Sequence, residues 1–254
     1  MIEVNHVSAG YGGQDVLRDI SFSLPREENL AILGPNGCGK TTLLRVIAGL
    51  LPCRGEVSID GKSVSKMKPR ELAAHVGLMS QNMQIPFDYT VEDVVRMGRY
   101  RMRRHSLFET EDKKDEQAVR DALENVGLWA LRGRVANTLS GGQQQRVFLA
   151  RVFAQQPEIV MLDEPTNHLD LSSQIELMQQ LHQYGSQPGK QVIGVFHDLT
   201  LAPMLGGQAV FMREGRILRQ GAFSDIASPS FLREVYGVDV RAHLERALEA
   251  LPRG

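Results

Sequence analysis

Apolar positions along the chain follow two different periods, and these periods predict where strands and helices lie. Residues 2–7 and 16–24 alternate apolar and polar side chains, a pattern typical of short strands in an antiparallel sheet. Residues 30–33 form a compact apolar run that ends at a glycine, as a buried parallel strand does. Residues 41–50 then carry leucine and isoleucine at helical spacing, so the predicted order is strand, glycine-rich turn, helix.

The rest of the chain divides into a helical middle and a second strand-rich part. Apolar positions within residues 86–157 recur every three or four residues, which predicts a helical segment. Apolar runs at residues 159–162 and 191–196 flank a helical pattern at 172–184, and this alternation predicts a parallel sheet. Two hairpins are predicted as well, at residues 55–64 around Asp60-Gly61 and at residues 209–212 and 216–220 around Glu214-Gly215.

Composition narrows the class of protein without naming a function. The chain has 254 residues, 42% of them apolar and 23% charged, which are ordinary globular proportions. Its net charge of −1 offers no broad cationic face, and its two cysteines, Cys38 and Cys53, suit a reducing compartment. The longest apolar runs are roughly five residues, far short of a membrane span. Residues 1–13 show no cationic stretch followed by an apolar run, so we expect no secretory signal.

A glycine-rich loop follows the first predicted parallel strand and satisfies the pattern G-x-x-x-x-G-K-[ST]. Its glycines let successive backbone N–H groups converge on one point, toward which the next helix directs its positive end. In such a loop Lys40 meets the terminal phosphates and the Thr41 hydroxyl ligates Mg²⁺. An incidental glycine turn is the alternative, and the position between strand and helix argues against it. We therefore expect nucleotide binding by Gly34, Asn36, Gly37, Cys38, Gly39, Lys40, Thr41 and Thr42.

An acidic pair follows the apolar run at residues 159–162. Asp163 stands at the carboxyl end of that strand, where Mg²⁺ beside a phosphate loop needs a second anchor. Glu164 is one residue further, placed to act as general base toward a water that attacks the γ-phosphorus. The alternative is that both acids only cap a helix ahead of Pro165, and the phosphate loop makes that alternative the weaker one.

Between these two motifs lies Leu139-Ser140-Gly141-Gly142-Gln143, and here the chain resembles the ATP-binding cassette (ABC) family, whose signature is LSGGQ. The resemblance covers nearly the whole chain and implies a single ABC ATPase domain over residues 1–254. The implied fold is α/β, with a RecA-like parallel-sheet core, an antiparallel β subdomain and a helical subdomain. The core with its β subdomain would comprise residues 1–85 and 158–254, and the helical subdomain residues 86–157.

The resemblance also implies roles for single residues. Tyr11 is similar to the aromatic residue that stacks on adenine, Gln81 to the Q-loop glutamine, and His197 to the switch histidine that contacts the γ-phosphate. Any one of them, taken alone, would more often be structural, and it is their order along the chain that matches the family. The D-loop is matched by Asn167-His168-Leu169-Asp170. The implied catalytic residues are Glu164, His197 and Gln81, and the implied Mg²⁺ ligands are Thr41, Gln81 and Asp163.

In this family two cassettes pack head to tail, so that each signature closes on the other copy's nucleotide. The resemblance therefore implies an ATPase that uses ATP and Mg²⁺ and acts as a homodimer. Two multi-span membrane permease subunits and, indirectly, a substrate-binding protein are the further implied partners, with the chain peripheral on the cytoplasmic face of the inner membrane. The residues implied to face the partner's ATP are Ser140, Gly141, Gly142 and Gln143.

Three segments resemble the ATPases of iron-siderophore, haem and cobalamin importers, namely Asp88–Val95, Ser140–Asp170 and Phe231–Val240. We therefore expect an ATPase that powers metal-chelate import. A molybdate or tungstate importer, and a non-transport ABC ATPase that serves as an assembly factor, stay open as alternatives.

A basic run between Arg96 and Arg104 is either a solvated face or a patch toward the membrane partner and its lipids. No nucleic-acid partner is expected, because the run is short, poor in aromatic residues and set in a nearly neutral chain.

Overall fold

The computed structural model describes residues 1–81, 83–85, 87–100, 109–167 and 169–250, and for residues 109–112 the backbone alone. His168 of the D-loop segment lies outside the described residues. So do Arg101, Arg103 and Arg104 of the basic run.

The chain contains ten strands and nine α-helices in its described residues, and the predicted strand, glycine-rich turn and helix at residues 30–50 occur among them. The strands are β1 (Ile2–Tyr11), β2 (Gln14–Leu24), β3 (Leu30–Leu33), β4 (Arg54–Ile59), β5 (Lys62–Ser63), β6 (Val76–Met79), β7 (Ile159–Asp163), β8 (Gln191–Val195), β9 (Gln208–Arg213) and β10 (Arg216–Ala222). The helices are α1 (Lys40–Ile47), α2 (Pro69–His75), α3 (Val91–Arg96), α4 (Glu109–Asn125), α5 (Gly141–Ala154), α6 (Leu171–Gly185), α7 (Phe223–Ile226), α8 (Pro229–Tyr236) and α9 (Val240–Glu249).

Within the described residues the strands form two sheets. A four-stranded antiparallel sheet has the order β2-β1-β4-β5, and a six-stranded sheet has the order β10-β9-β3-β8-β7-β6. The larger sheet is parallel from β9 to β6, and only β10 runs antiparallel to its neighbour. The α/β fold class expected from the sequence is therefore confirmed.

The parallel sheet is buried on both faces, which explains why its strands are continuous apolar runs. In β3, Leu30 and Ile32 join one core cluster, with α1 and the antiparallel sheet. Ala31 and Leu33 point to the other face and join the cluster formed with α3, α4, α5 and α6. Two separate apolar layers thus fix the sheet from both sides, and the carboxyl ends of β3, β6, β7 and β8 meet at a single edge.

Helices α3, α4 and α5 pack together within the segment predicted to be helical. Here Arg99 corrects the interpretation of the basic run as a surface feature. Its guanidinium is buried, where Nε donates to Asp115 at 2.7 Å and Nη1 to the Ala154 carbonyl at 2.9 Å. Arg96 pairs with Glu92 at 2.6 Å. Both arginines therefore support the fold.

Other differences from the predicted elements are local. Helix α1 ends at Ile47 rather than at residue 50, because Gly49 adopts a left-handed conformation (φ +67°). A Cβ at Gly49 would lie 2.6 Å from Leu72, so the turn is also tightly packed. Strand β6, which has four residues, was not predicted from the sequence. That strand forms its bonds with β7, far along the chain.

Candidate nucleotide-binding site

The phosphate-binding loop joins the end of β3 to α1. Gly34 (φ +145°) and Gly39 (φ +106°) have backbone conformations that other residues rarely adopt. A Cβ on Gly34 would lie 2.2 Å from the Met212 carbonyl oxygen, and one on Gly39 would lie 2.9 Å from Leu17. Glycine is required at both positions, so the pattern found in the sequence corresponds to real steric limits.

Lys40 is the first residue of α1 and is only 4% exposed. Its ammonium donates to the carbonyl oxygens of Gly34 at 2.8 Å and Pro35 at 3.0 Å. Burial lowers the pKa of Lys40, and the nearby Cys38, Glu164 and Asp163 oppose that shift. A desolvated cation at a helix N-terminus is well suited to bind phosphate oxygens.

Thr41 and Asp163 form the arrangement expected of an Mg²⁺ site. The Thr41 hydroxyl donates to Asp163 Oδ1 at 2.7 Å, which joins α1 to the carboxyl end of β7. Burial raises the pKa of Asp163, as does the like charge of Glu164, while the Thr41 hydrogen bond lowers it. No group of three or more His, Cys, Asp or Glu side chains that could hold a metal occurs among the described residues. Beside a phosphate site, Mg²⁺ keeps water and phosphate ligands and needs only a small number of protein oxygens. Thr41 and Asp163 supply such oxygens, so these residues fit the ion.

Glu164 lies at the centre of a hydrogen-bonded cluster. It has a left-handed backbone (φ +54°), and its N–H donates to the Val195 carbonyl at 3.2 Å across the sheet. Its carboxylate accepts hydrogen bonds from Gln81 Nε2 at 2.5 Å and Asn167 Nδ2 at 2.6 Å, and it also bonds to His197 Nε2. Three side chains from three loops therefore converge on one carboxylate.

A cavity of about 370 Å³ opens between the phosphate-binding loop and this cluster. Most of the predicted nucleotide residues line it, and so does Val16 of β2, which no sequence signal singled out. Its lining is Val16, Asn36, Gly37, Gly39, Lys40, Thr41, Thr42, Gln81, Glu164 and His197.

Three of the predicted nucleotide-binding residues are not among those that line this cavity. The Tyr11 ring is half-exposed at the end of β1, and its hydroxyl accepts a hydrogen bond from Arg45 at 3.2 Å. Cys38 is 5% exposed, and burial raises the pKa of its thiol. Gly34 lies behind the loop, against Met212.

The signature segment caps α5 away from the cavity. The Ser140 hydroxyl accepts from the Gln143 N–H at 3.3 Å, and the Gln143 side chain accepts from the Ser140 N–H at 3.1 Å. This capping box leaves Ser140 and Gly141 exposed. Gly142 packs against Ser173 of α6, whose N-terminus is capped by Asp170. None of these six residues is among those that line the cavity.

The hydrogen bond of Asn167 to the Glu164 carboxylate was not predicted from the sequence. Asn167 was noted only as part of the D-loop segment, whereas the structure shows that it orients the carboxylate. The turn after β7 brings the two side chains together, since Asn167 N–H donates to the Glu164 carbonyl at 3.3 Å. In the sequence, only the three-residue spacing between Glu164 and Asn167 hints at this contact.

A phosphate-binding loop with a buried lysine, and a strand-end Asp–Glu pair across from it, define a P-loop nucleotide hydrolase. The profile of the ABC transporter family matches residues 17–167. This chain belongs to the ABC transporter family and is an ATPase of that family.

Similar proteins match nearly the whole chain. It is 38% identical over 233 residues to the ferric enterobactin transport ATP-binding protein FepC of Escherichia coli K12, covering 91% of this chain and 85% of FepC. A dimeric ABC transporter cassette, MJ0796, aligns with a TM-score of 0.76 at 29% identity, over 87% of this chain and 98% of that one. A putative metal-chelate type ABC transporter in an inward-facing conformation aligns with a TM-score of 0.80 at 25% identity, over 94% of this chain and 89% of that one.

Across the described part of the chain, no helix has both the length and the apolar character needed to cross a membrane.

Proposed function

We propose that this chain hydrolyses ATP to power the import of a metal chelate, such as an iron-siderophore, haem or cobalamin, through partner permease subunits. The single observation that carries the proposal is the similarity to FepC, a ferric enterobactin transport ATPase, over 91% of the chain. The likeness to a metal-chelate type transporter over 94% of the chain supports the same substrate class. In this role the chain works at the cytoplasmic face of the inner membrane.

ATP binds with its phosphates in the 370 Å³ cavity. Lys40 exchanges the carbonyls of Gly34 and Pro35 for phosphate oxygens, because charge-assisted hydrogen bonds are stronger than those to neutral acceptors. Thr41 and Asp163 would hold Mg²⁺, which when bound would neutralise charge on the phosphates.

Glu164 acts as the general base. Its carboxylate accepts the proton of the attacking water, while Asn167 holds its orientation. Gln81 and His197 both bond to this carboxylate, so the water enters by displacing them. After this displacement, Gln81 and His197 lie next to the water and the γ-phosphate. The cluster therefore links hydrolysis to the position of the Gln81 loop.

A second copy of the chain completes each site in the proposed mechanism. The exposed signature at the start of α5 lies outside the cavity of its own chain. The Ser140 hydroxyl acts only as an acceptor in the capping box, so its own proton can be donated to another copy's phosphates. The dimeric state of the similar cassette MJ0796 supports this arrangement. Closure by ATP and reopening after hydrolysis follow from contacts that exist only while the triphosphate is intact.

Ser140→Arg tests the dimer. The bulky cation at the exposed cap should leave MgADP affinity unchanged and abolish the ATP-dependent dimer seen by size exclusion. Ser186→Arg, at an exposed position beyond the end of α6, is the matched control and should dimerise like the wild type. Dimerisation of Ser140→Arg at wild-type ATP concentrations would contradict the proposed interface.

A groove of about 920 Å³ beside the Gln81 loop is the proposed docking site for a cytoplasmic segment of the permease. Its rim carries apolar side chains open to solvent, Leu50 at 64% and Tyr100 at 79% exposure. Met83, two residues beyond Gln81, lines the same groove, so an occupant reaches the loop that contacts Glu164. Large apolar side chains left open to solvent at the rim of a groove suit contact with a protein partner.

Leu50→Asp should remove co-purification with the permease while MgADP binding stays unchanged. Leu248→Asp, at a 68% exposed position of α9, is the matched control. Retention of the permease by Leu50→Asp would contradict the proposed docking site.

ATP-dependent uptake into proteoliposomes tests the function itself. The chain is reconstituted with its co-purifying permease and supplied with ferric siderophore, haem, cobalamin or molybdate on a binding protein for that ligand. Uptake of a metal chelate is expected. Uptake of molybdate alone would identify the alternative importer class, and a chain that purifies only with soluble partners would contradict transport.

A further inference from the structure

Helix α8 has a precise position beside the end of β9. It begins at Ser228, whose hydroxyl accepts from the Phe231 N–H at 3.3 Å, and it stops at Gly237 in a left-handed conformation. Phe231 packs edge-on against Phe211 of β9, with ring centroids 5.3 Å apart. Arg213, the last residue of β9, donates to the Glu234 carbonyl at 2.7 Å. The last turn of α8 is therefore held against this strand end.

The same strand end supports the phosphate-binding loop. Leu33, which precedes the loop, pairs with Phe211 of β9. Gly34 lies so close to the Met212 carbonyl that no side chain fits between them. Beyond β9, the Gly215 N–H donates to the Cys38 carbonyl at 3.0 Å. The end of α8 and the loop therefore share one support.

The Tyr236 hydroxyl, in the last turn of α8, is buried and has no hydrogen-bond partner among the described residues. A buried hydroxyl without a partner is uncommon and destabilising. Burial raises the pKa of Tyr236; the Cys38 thiol adds to that shift and the Gly34 N–H opposes it. Glu234, two residues before Tyr236, is bonded to Arg213, and Gly34 packs against Met212, the neighbour of Arg213, so the buried hydroxyl lies beside the start of the phosphate-binding loop.

We propose that Tyr236 is a positioning residue for the phosphate-binding loop, and that its hydroxyl accepts a hydrogen bond from the Gly34 N–H once nucleotide is bound. Without nucleotide, Lys40 holds the carbonyls of Gly34 and Pro35. When phosphate binds the Lys40 ammonium, both carbonyls are released. The start of the loop can then move so that the Gly34 N–H donates to the Tyr236 hydroxyl. This role concerns ATP binding and is independent of the transported substrate.

Tyr236→Phe tests the proposal, with MgADP titrated calorimetrically into the full chain. Loss of one hydrogen bond formed on binding should weaken MgADP affinity about three- to tenfold. The Tm of the nucleotide-free variant should equal or exceed that of the wild type, because the substitution removes an unpaired buried hydroxyl. In the ATPase assay the KM for ATP should rise while kcat stays unchanged, as for a contact made equally in ground and transition states.

Tyr184→Phe is the matched control. Its hydroxyl donates to the Pro157 carbonyl at 2.5 Å, at the opposite edge of the sheet from the nucleotide site. This variant should lose thermal stability and keep wild-type MgADP affinity. Wild-type affinity in Tyr236→Phe would overturn the proposal. So would a Tm loss in nucleotide-free Tyr236→Phe as large as that of Tyr184→Phe, since the hydroxyl would then serve only the fold.

Discussion

Replacing Glu164 by glutamine separates the chemistry of the site from its structure. The amide has the shape of the carboxylate, and its oxygen can still accept from Gln81 and Asn167, the donors now 2.5 and 2.6 Å away. Its nitrogen can donate to His197 Nε2 in the tautomer that leaves this atom unprotonated. The cluster should therefore persist, and only the ability to take a proton is lost.

The expected loss of turnover follows from this role. General-base catalysis contributes about 10²–10⁴-fold, which corresponds to about 2.7–5.4 kcal/mol of transition-state stabilisation. Lys40 and Thr41, which contact the phosphates and Mg²⁺ in the proposed mechanism, are untouched, so nucleotide affinity should not change. Because ATP then persists, the closed dimer should accumulate.

Steady-state phosphate release, calorimetric MgADP binding and size exclusion with MgATP measure these three effects. Glu124→Gln, at an exposed position of α4 paired with Arg120, makes the same substitution away from the site and should behave like the wild type. Hydrolysis by Glu164→Gln within about threefold of the wild-type rate would remove Glu164 from the role of base. Loss of MgADP affinity would show that the cluster itself had been disrupted.

Three other changes address binding and stability. Lys40→Ala should weaken MgADP affinity by at least about tenfold in calorimetry, because a buried charge-assisted contact is lost. Labelling with a bulky thiol reagent, followed by mass spectrometry, should be slower at Cys38 than at the more exposed Cys53, and complete labelling of Cys38 should block ATP binding. Unchanged ATPase after that labelling would contradict the closeness of Cys38 to the phosphates. Arg99→Ala should cost about 1.5–3 kcal/mol in denaturant unfolding, because the buried hydrogen bonds of its guanidinium to Asp115 and to the Ala154 carbonyl are lost, whereas a loss below about 0.5 kcal/mol would contradict their contribution.

The sequence by itself determined the buried strands β3, β7 and β8 and the phosphate-binding loop. The loop occupies consecutive residues, and its glycine requirement at Gly34 and Gly39 is local, so its chemistry can be recognised without the fold. The apolar runs of β3, β7 and β8 likewise predict their burial, because a strand covered on both faces is apolar along most of its length.

Only the tertiary structure decided which distant side chains meet. Gln81 lies 83 residues before Glu164 and His197 lies 33 residues after it, and the order β8-β7-β6 brings their loops to one edge. Strand β6, which carries Gln81 to that edge, is interrupted by Gly77 and so shows no continuous apolar run. Helix α8, which ends at Tyr236, is placed by its packing against the distant strand β9. Strand order and the burial of single polar groups depend on contacts between remote segments, and no periodicity within one segment encodes them.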